Sequence, residues 1–430
     1  MAHIRQASSH IWRAAHLRQA LRSGQWLTAS RARGYGLILL GLSMLAIAGW
    51  VALSDGLVDR NGKPLGTDFS SFYAAGTLVL DGRAGDVYDM AAHYARQQQI
   101  FGASTPYYGW LYPPIFLLIA TPLAAMPYPL ALLVWQGASF ALYLVVIGGI
   151  ARRMKMPGTA QGPLWLLIAA GFPAVLVNFG HGQNGCLSAG LLGAALLALP
   201  ARPLAAGLLF GLLAYKPQLG IVIPLALLAA GQWRCILAAG ITAMALVCIS
   251  SLLFGVELWP AFAASMEISR KLLLEQGDVG FAKLQSVFAA VRLWGGSVAL
   301  AYATQALASA VVLCGVAWTW HAKVDPDLKA ALLVVATLLA SPHVLDYDLT
   351  ILAVAIAFFA RHGLAHGFRD YEISVLGAAW AVPLLARSTA GSTGVPLGLL
   401  VLVALFGLIL RRAVFETASE RRHQTELAQA

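Results

Sequence analysis

The chain has 430 residues, 59% of them hydrophobic and only 11% charged, with a formal net charge of +10. A soluble domain is about a quarter charged, so this composition excludes a soluble enzyme, a disordered tail protein and a secreted disulfide scaffold and leaves a polytopic membrane protein. The basic excess reads as an orientation signal on cytoplasmic loops. No basic-aromatic nucleic-acid motif accompanies it, so a bilayer rather than nucleic acid is the expected partner. Cys186, Cys235, Cys248 and Cys314 lie in apolar runs without CxxC or metal spacing and read as core packing.

Residues 1–33 form a basic segment with Arg5, Arg13, Arg18, Arg22, Arg31 and Arg33, in which Ile11, Trp12, Ala15 and Leu21 would line one face of a surface helix. That flank places the N-terminus in the cytoplasm, and the polar lead is too long for a cleaved signal peptide. The first span is 34–53, and the polar stretch 54–110 then lies outside. The run after Tyr112-Pro113-Pro114 is about a dozen residues long, which suits an interfacial or re-entrant helix. With that choice Arg152, Arg153 and Lys155 fall inside.

Further spans are expected at 128–151, 163–179, 184–200, 203–216, 218–231, 235–254, 297–320, 328–341, 349–365, 373–386 and 395–411. Arg202, Arg234, Lys323, Lys329, Arg361, Arg369, Arg411 and Arg412 then all lie on the cytoplasmic side. The fold class is therefore all-α, with about twelve transmembrane helices in a domain over 34–411, extracytoplasmic elements at 54–127 and 255–296, and a cytoplasmic tail at 412–430. The 255–296 segment includes an amphipathic stretch from Phe281 to Trp294.

Polar residues gather on the outward side: Gly66-Thr67-Asp68 through Tyr73, Tyr112-Pro113-Pro114, His181-Gly182-Gln183-Asn184-Gly185, Tyr215-Lys216-Pro217-Gln218, and Ser341-Pro342-His343 through Asp348. Ionisable groups beside membrane helices are costly unless paired or solvated, so they are functional candidates. Asp68 is either a helix N-cap or a general base whose basicity partial desolvation would raise. Lys216 is either a lysine snorkelling to the interface or a cation for a lipid phosphate, oriented by Gln218. His181, Gln183 and Asn184 either cap two helices or hydrogen-bond sugar hydroxyls. His343 and Tyr347 would share a helical face, while Asp346 and Asp348 are placed to cap the next span. No GxSxG, HExxH or phosphate-loop motif is present. Asp68, His343, Asp346 and Asp348 lack diagnostic metal-ligand spacing, so no metal site is assigned to them and no cofactor is expected, while a metal requirement is not legible in the sequence.

These clusters, in this order, resemble the family-87 glycosyltransferases, the polyprenol-phosphate-mannose-dependent mannosyltransferase group of the GT-C superfamily. The resemblance covers most of 34–411 and is carried by Thr67-Asp68-Phe69 with Phe72-Tyr73 and Ala75, Leu111-Tyr112-Pro113-Pro114, His181-Gly182-Gln183-Asn184, Lys216-Pro217-Gln218 and Ser341-Pro342-His343 with Tyr347-Asp348. It implies inverting transfer of a hexose, mannose in the better-known members, from a polyprenyl-phosphate donor to an extracytoplasmic glycan or glycolipid hydroxyl. Asp68 would be the catalytic base and His343 the late-loop catalytic histidine. Tyr73, Tyr112, His181, Gln183, Asn184, Lys216, Gln218, Asp346 and Tyr347 would bind substrate. Arg270 and Lys271 of the second outward segment would help offset the phosphate charge. A bacterial inner membrane with both termini cytoplasmic is the expected setting. The competing reading is a transporter or flippase of a lipid-linked or small polar substrate, which would favour inverted repeats and a midplane site; no repeat is visible.

Overall fold

The computed structural model describes residues 15–152 and 161–429. Arg5, Ile11, Trp12, Arg13, Arg153 and Lys155 lie outside the described residues. Among the described residues the regular structure is helical, apart from isolated bridges at Asp55–Val58, Val58–Pro64 and Leu284–Leu345. In chain order the α-helices are α1 (Ala29–Ala52), α2 (Phe69–Leu80), α3 (Met90–Phe101), α4 (Leu117–Ala124), α5 (Tyr128–Ala151), α6 (Gln161–Ala170), α7 (Pro173–His181), α8 (Gly185–Ala198) and α9 (Pro203–Leu212). They continue as α10 (Val222–Ala229), α11 (Trp233–Phe254), α12 (Leu258–Ser269), α13 (Val287–Leu293), α14 (Val298–His321), α15 (Pro326–Leu339), α16 (Leu352–His366), α17 (Glu372–Thr393) and α18 (Leu397–Gln429).

Seven helical segments among the described residues are long and apolar enough to cross a membrane: α1, α5, α11, α14, Asp346–His366, α17 and the Leu397–Ser419 part of α18. The α6–α7 pair, bent by 48° at its break, makes an eighth if it is one span. The outer faces of these helices expose Leu252 (86%), Leu45 (71%) and Val145 (71%), side chains that a soluble surface would not present in such a belt. The chain is a polytopic all-α membrane protein.

Every span expected from the sequence is helical, but four are short. The 14-residue helices α8 and α15 rise about 21 Å against a hydrocarbon core of about 30 Å. Pro203–Tyr215 and Pro217–Ala229 are likewise too short to cross alone. The reason is burial: α15 is enclosed along nearly its whole length, as is most of α8. Irregular backbone at membrane depth is tolerated where protein surrounds it, so interior helices need not reach the bilayer surface. The 114–126 run is a short helix as expected, a 3₁₀ turn Pro114–Phe116 leading into α4.

Close helix approach depends on small residues. Gly207 and Gly211 lie one turn apart on α9 against α11; a methyl group at Gly207 would sit 2.6 Å from Ala238 Cβ, and one at Gly211 would sit 2.7 Å from the Ala239 carbonyl. Gly76 plays the same part between α2 and α4, where an added Cβ would come within 2.6 Å of Ala124 Cβ. The helix carrying Asp68 at its start is therefore clamped on α4. It is also tied to α3, because buried His93 reaches the Ser71 carbonyl at 3.2 Å and Gln97 at 3.1 Å.

Two details differ from the sequence expectation. Cys186 and Cys235 are buried, but Cys248 and Cys314 are exposed on the outer faces of α11 and α14, so only two of the four are core residues. The last helix does not stop near Arg411; α18 continues to Gln429. The described part of the basic N-terminal segment, from residue 15, is docked on the start of α17, where Trp26 donates to Ser374 at 2.7 Å and Arg22 pairs with Asp370 at 2.7 Å.

Candidate active site

The loops 54–127, 182–184, 216, 255–297 and 340–345 meet at one end of the bundle. Two left-handed glycines allow the central approach. Gly182 (φ +62°) turns α7 into α8, and a Cβ there would strike Phe69 Cβ at 2.6 Å. Gly66 (φ +66°) makes the turn before α2. The Asp68 amide then donates to the His181 carbonyl at 2.9 Å, joining the first loop to the α7–α8 turn.

Asp68 stands at the N-cap position of α2, yet its side chain makes no capping bond. Its Oδ2 instead accepts from Gln183 Nε2 at 2.9 Å. Gln183 Oε1 accepts from the Tyr112 hydroxyl at 2.9 Å, and that hydroxyl accepts from Asn184 Nδ2 at 2.8 Å. Asn184 Oδ1 accepts from Lys216 Nζ at 2.9 Å, and Lys216 forms a close ion pair with Asp348. Four loops distant in sequence are thus joined by one unbroken chain of side-chain hydrogen bonds running from Asp68 to Asp348. The capping alternative for Asp68 is excluded by this geometry. Asn184 at the start of α8 makes no side-chain cap either, whereas Gln183 Oε1 also accepts the Asn184 backbone amide at 3.1 Å, so Gln183 both steadies the start of α8 and holds Asp68.

Lys216 does not snorkel. Its side chain is 3% exposed and that of Asp348 5%. The backbone break before Pro217 turns the lysine inward, and the desolvated charge is met by a buried carboxylate. Asp348 does cap as expected, with Oδ2 accepting the Leu345 amide at 3.0 Å, but its other oxygen holds Lys216. Gln218 makes no side-chain hydrogen bond among the described residues, so it does not orient Lys216. Tyr73 is committed to structure, its hydroxyl donating to the Met126 carbonyl at 2.9 Å.

Asp68 is ionised. Burial pushes its carboxyl up, but His181, Lys283 and the Gln183 hydrogen bond together pull it below the ordinary carboxylate value. This corrects the sequence expectation of raised basicity: the site desolvates Asp68 but surrounds it with donors and cations that outweigh the cost. Its side chain keeps 22% exposure. His181 Nδ1 lies 3.8 Å from Asp68 Oδ1 and 2.8 Å from Thr67 Oγ1, and the His181 ring packs edge-on to Tyr347 at 5.8 Å. Burial holds the Tyr112 hydroxyl far above its ordinary pKa, with Asp348 and Asp68 adding to the effect, so it stays a neutral link. His343 falls at the Asp348 end of the chain. Burial lowers its pKa against the pull of Asp348, with Lys216 assisting, which keeps the imidazole neutral.

The cations of the second loop are not those expected. Arg270 pairs with Glu275 and Lys271 with Glu267 at 3.0 Å, both on the loop's own helical surface. The cation that reaches the site is Lys283. The bridge Leu284–Leu345 and the Gln285 amide bond to the Val344 carbonyl at 2.7 Å dock this loop on the 341–348 turn. Lys283 Nζ consequently lies 5.8 Å from the Tyr347 ring centroid, while Lys216 Nζ lies 5.7 Å from the same centroid. Arg387 approaches the buried Asp346 at 3.8 Å. Lys283 and Arg387 carried no sequence signal beyond their charge.

The sequence profile of glycosyltransferase family 87 matches residues 110–342, more than half of the chain. The chain belongs to glycosyltransferase family 87. No curated protein and no solved structure matches it. This family-87 protein is therefore a membrane glycosyltransferase acting on a glycan or lipid-linked substrate at a bilayer. The matched region contains Tyr112, His181, Gln183, Asn184 and Lys216; Asp68 and the His343–Asp348 turn are joined to it by the hydrogen bonds described above.

Proposed function

We propose that the protein transfers a hexose, mannose by family resemblance, from a polyprenyl-phosphate donor to a hydroxyl of an extracytoplasmic glycan or glycolipid, with inversion and with Asp68 as general base. The observation that carries this reading is the Asp68 carboxylate: ionised, partly exposed, free of any capping duty and aimed by Gln183. In the reaction the acceptor oxygen bonds the anomeric carbon, its proton passes to Asp68, and the carbon–oxygen bond to phosphate breaks with its electron pair leaving on the phosphate. The lowered carboxyl pKa keeps Asp68 unprotonated near neutral pH and trades proton affinity for a full population of the ionised base.

The departing phosphate needs positive charge rather than a strong acid. Lys283 supplies it, joined by Arg387, whose contact with Asp346 is a loose 3.8 Å and whose side chain stays 58% exposed. Lys216 is already neutralised by Asp348, so it positions Asn184, Tyr112 and Gln183 behind the base rather than binding phosphate. His343, neutral beside Lys216 and Asp348, supports that end. The concentration of Lys323, Arg361, Arg369, Arg411 and Arg412 at the opposite end supports a cytoplasmic placement of that end and an extracytoplasmic active site, in a bacterial inner membrane.

The test is sugar transfer from lipid-phosphate donor by Asp68→Asn protein that remains folded and membrane-inserted. The expected loss is of the order of 10²–10⁴-fold; near-normal transfer would remove Asp68 from the role of base.

A further inference from the structure

A second polar site lies at the other end of the bundle, where a cavity of about 590 Å³ is lined by Lys323, Asp325, His366, Arg369, Arg412 and Glu416, among others. It sits between the α14–α15 turn, the end of α16 and the middle of α18. Its acids are already engaged. Glu416 is shared by His362 at 2.9 Å and by Arg412, and Asp325 caps the Asp327 amide at 2.8 Å while facing His362 at 3.4 Å. The further acid, Glu372, pairs with Arg412 at 3.2 Å.

The cations at the rim are not engaged in this way. Lys323 is exposed and has no acidic partner among the described residues. The Arg369 guanidinium lies over the Phe415 ring, with its central carbon 3.6 Å from the ring centroid, and its side-chain N–H groups meet no acceptor among the described residues. Contact with the ring holds that fork in place while leaving its donors open, the arrangement that suits an oxyanion. Among the described residues Arg411 donates only to the Asp370 carbonyl, at 3.0 Å. On the outside of the same helix Val414 (47%) and Phe415 (53%) are exposed apolar side chains. Open cations therefore adjoin an apolar, outward-facing surface at the end of a membrane-spanning helix.

We propose that this cavity binds a phosphate group, that of an anionic phospholipid head whose acyl chains run along Val414 and Phe415. Arg369 and Lys323 hold the phosphate, and Arg412 with His362 neutralise the acids beneath it. Basic pockets between membrane helices favour such head groups by charge and by adjacent hydrocarbon contact. The inference concerns residues at the end remote from Asp68 and stands whichever sugar is transferred.

The full-length protein in neutral detergent, examined by native mass spectrometry with phosphatidylglycerol and with phosphatidylcholine of identical chains, tests it. Preferential retention of phosphatidylglycerol is expected, weakened roughly fivefold by each of Lys323→Gln and Arg369→Gln. Because Lys323 is exposed, with no acidic partner among the described residues, its replacement does not threaten folding, and an unchanged thermal transition serves as the control for both variants. Inorganic phosphate is the second probe. If it displaces phosphatidylglycerol only weakly, the lipid source is supported. If it binds alone through Arg369 with no preference between the lipids, a phosphate site with a soluble ligand is established and the lipid source is overturned. Equal retention of both lipids with no phosphate binding, or unaltered affinity in both variants, overturns the proposal.

Discussion

Replacing Gln183 by Met removes the one side-chain amide that holds Asp68 while keeping the length of the side chain. Gln183 Nε2 donates to Asp68 Oδ2 at 2.9 Å, and this bond is among the interactions that draw the carboxyl below 3.8. A hydrogen bond to a charged group contributes about 1.5–3 kcal/mol. Loss of the donor should therefore raise the Asp68 pKa. Because the base must be ionised, transfer is lost as pH falls through that pKa, so the acid limb of the pH–rate profile moves to higher pH by the same amount. The assay is kcat/KM for sugar transfer from lipid-phosphate donor across the acid range. Tyr112→Phe is the control, since it removes the next link, the hydroxyl bonded to Gln183 Oε1 at 2.9 Å, and leaves the donor to Asp68 in place. Coincident acid limbs for the wild type and Gln183→Met would refute the reasoning.

Lys216→Met and Asp348→Leu should each destabilise the protein by about 3–5 kcal/mol by leaving one buried charge unmatched, whereas the double variant recovers most of the loss; a thermal-shift double-mutant cycle checks this, and additive losses would contradict it. Lys283→Gln and Arg387→Gln should raise the KM for donor and lower kcat, while Arg270→Gln and Lys271→Gln, whose charges are met by Glu275 and Glu267, should do neither; steady-state kinetics separate the two pairs. Burial lowers the His93 pKa from 6.5 to about 4, so its neutral form stabilises the fold above pH 6.5 and that contribution fades as pH falls toward 4. The span amounts to about 3 kcal/mol at most, and His93→Gln should flatten the loss of thermal stability over this window.

How far the fold and the site were legible in the sequence depends on the range of the interaction. Apolar run length and positive charge located the helices, because membrane insertion reads both locally. They could not show that α15 and α8 are enclosed by other helices, which is why a 14-residue segment suffices there. The clusters around Asp68, Gln183, Lys216 and Asp348 were visible as polar residues in costly places. Their roles were not, since a cap and a network member look alike until the partner is known. Asp68 lacks the capping bond its position invites, and Lys216 finds Asp348 across 132 positions.

Lys283 was missed because its approach to Tyr347 depends on the pairing of Leu284 with Leu345. Arg270 and Lys271 were chosen for charge alone. The spacing of Lys271 four residues after Glu267 already signalled a local helical pair that leaves little charge for a ligand. The direction of the Asp68 shift was misjudged for a related reason: desolvation can be guessed from a membrane setting, whereas the influence of His181, the charge of Lys283 and the Gln183 donor appear only when the loops converge.

Transfer of a labelled hexose from polyprenyl phosphate by purified protein, comparing wild type with Asp68→Asn and determining the anomeric configuration of the product, tests the central claim most directly. The account predicts a product of configuration opposite to the donor's from the wild type and a loss of about 10²–10⁴-fold in the variant. Retained configuration, or transfer that survives the substitution, would contradict it.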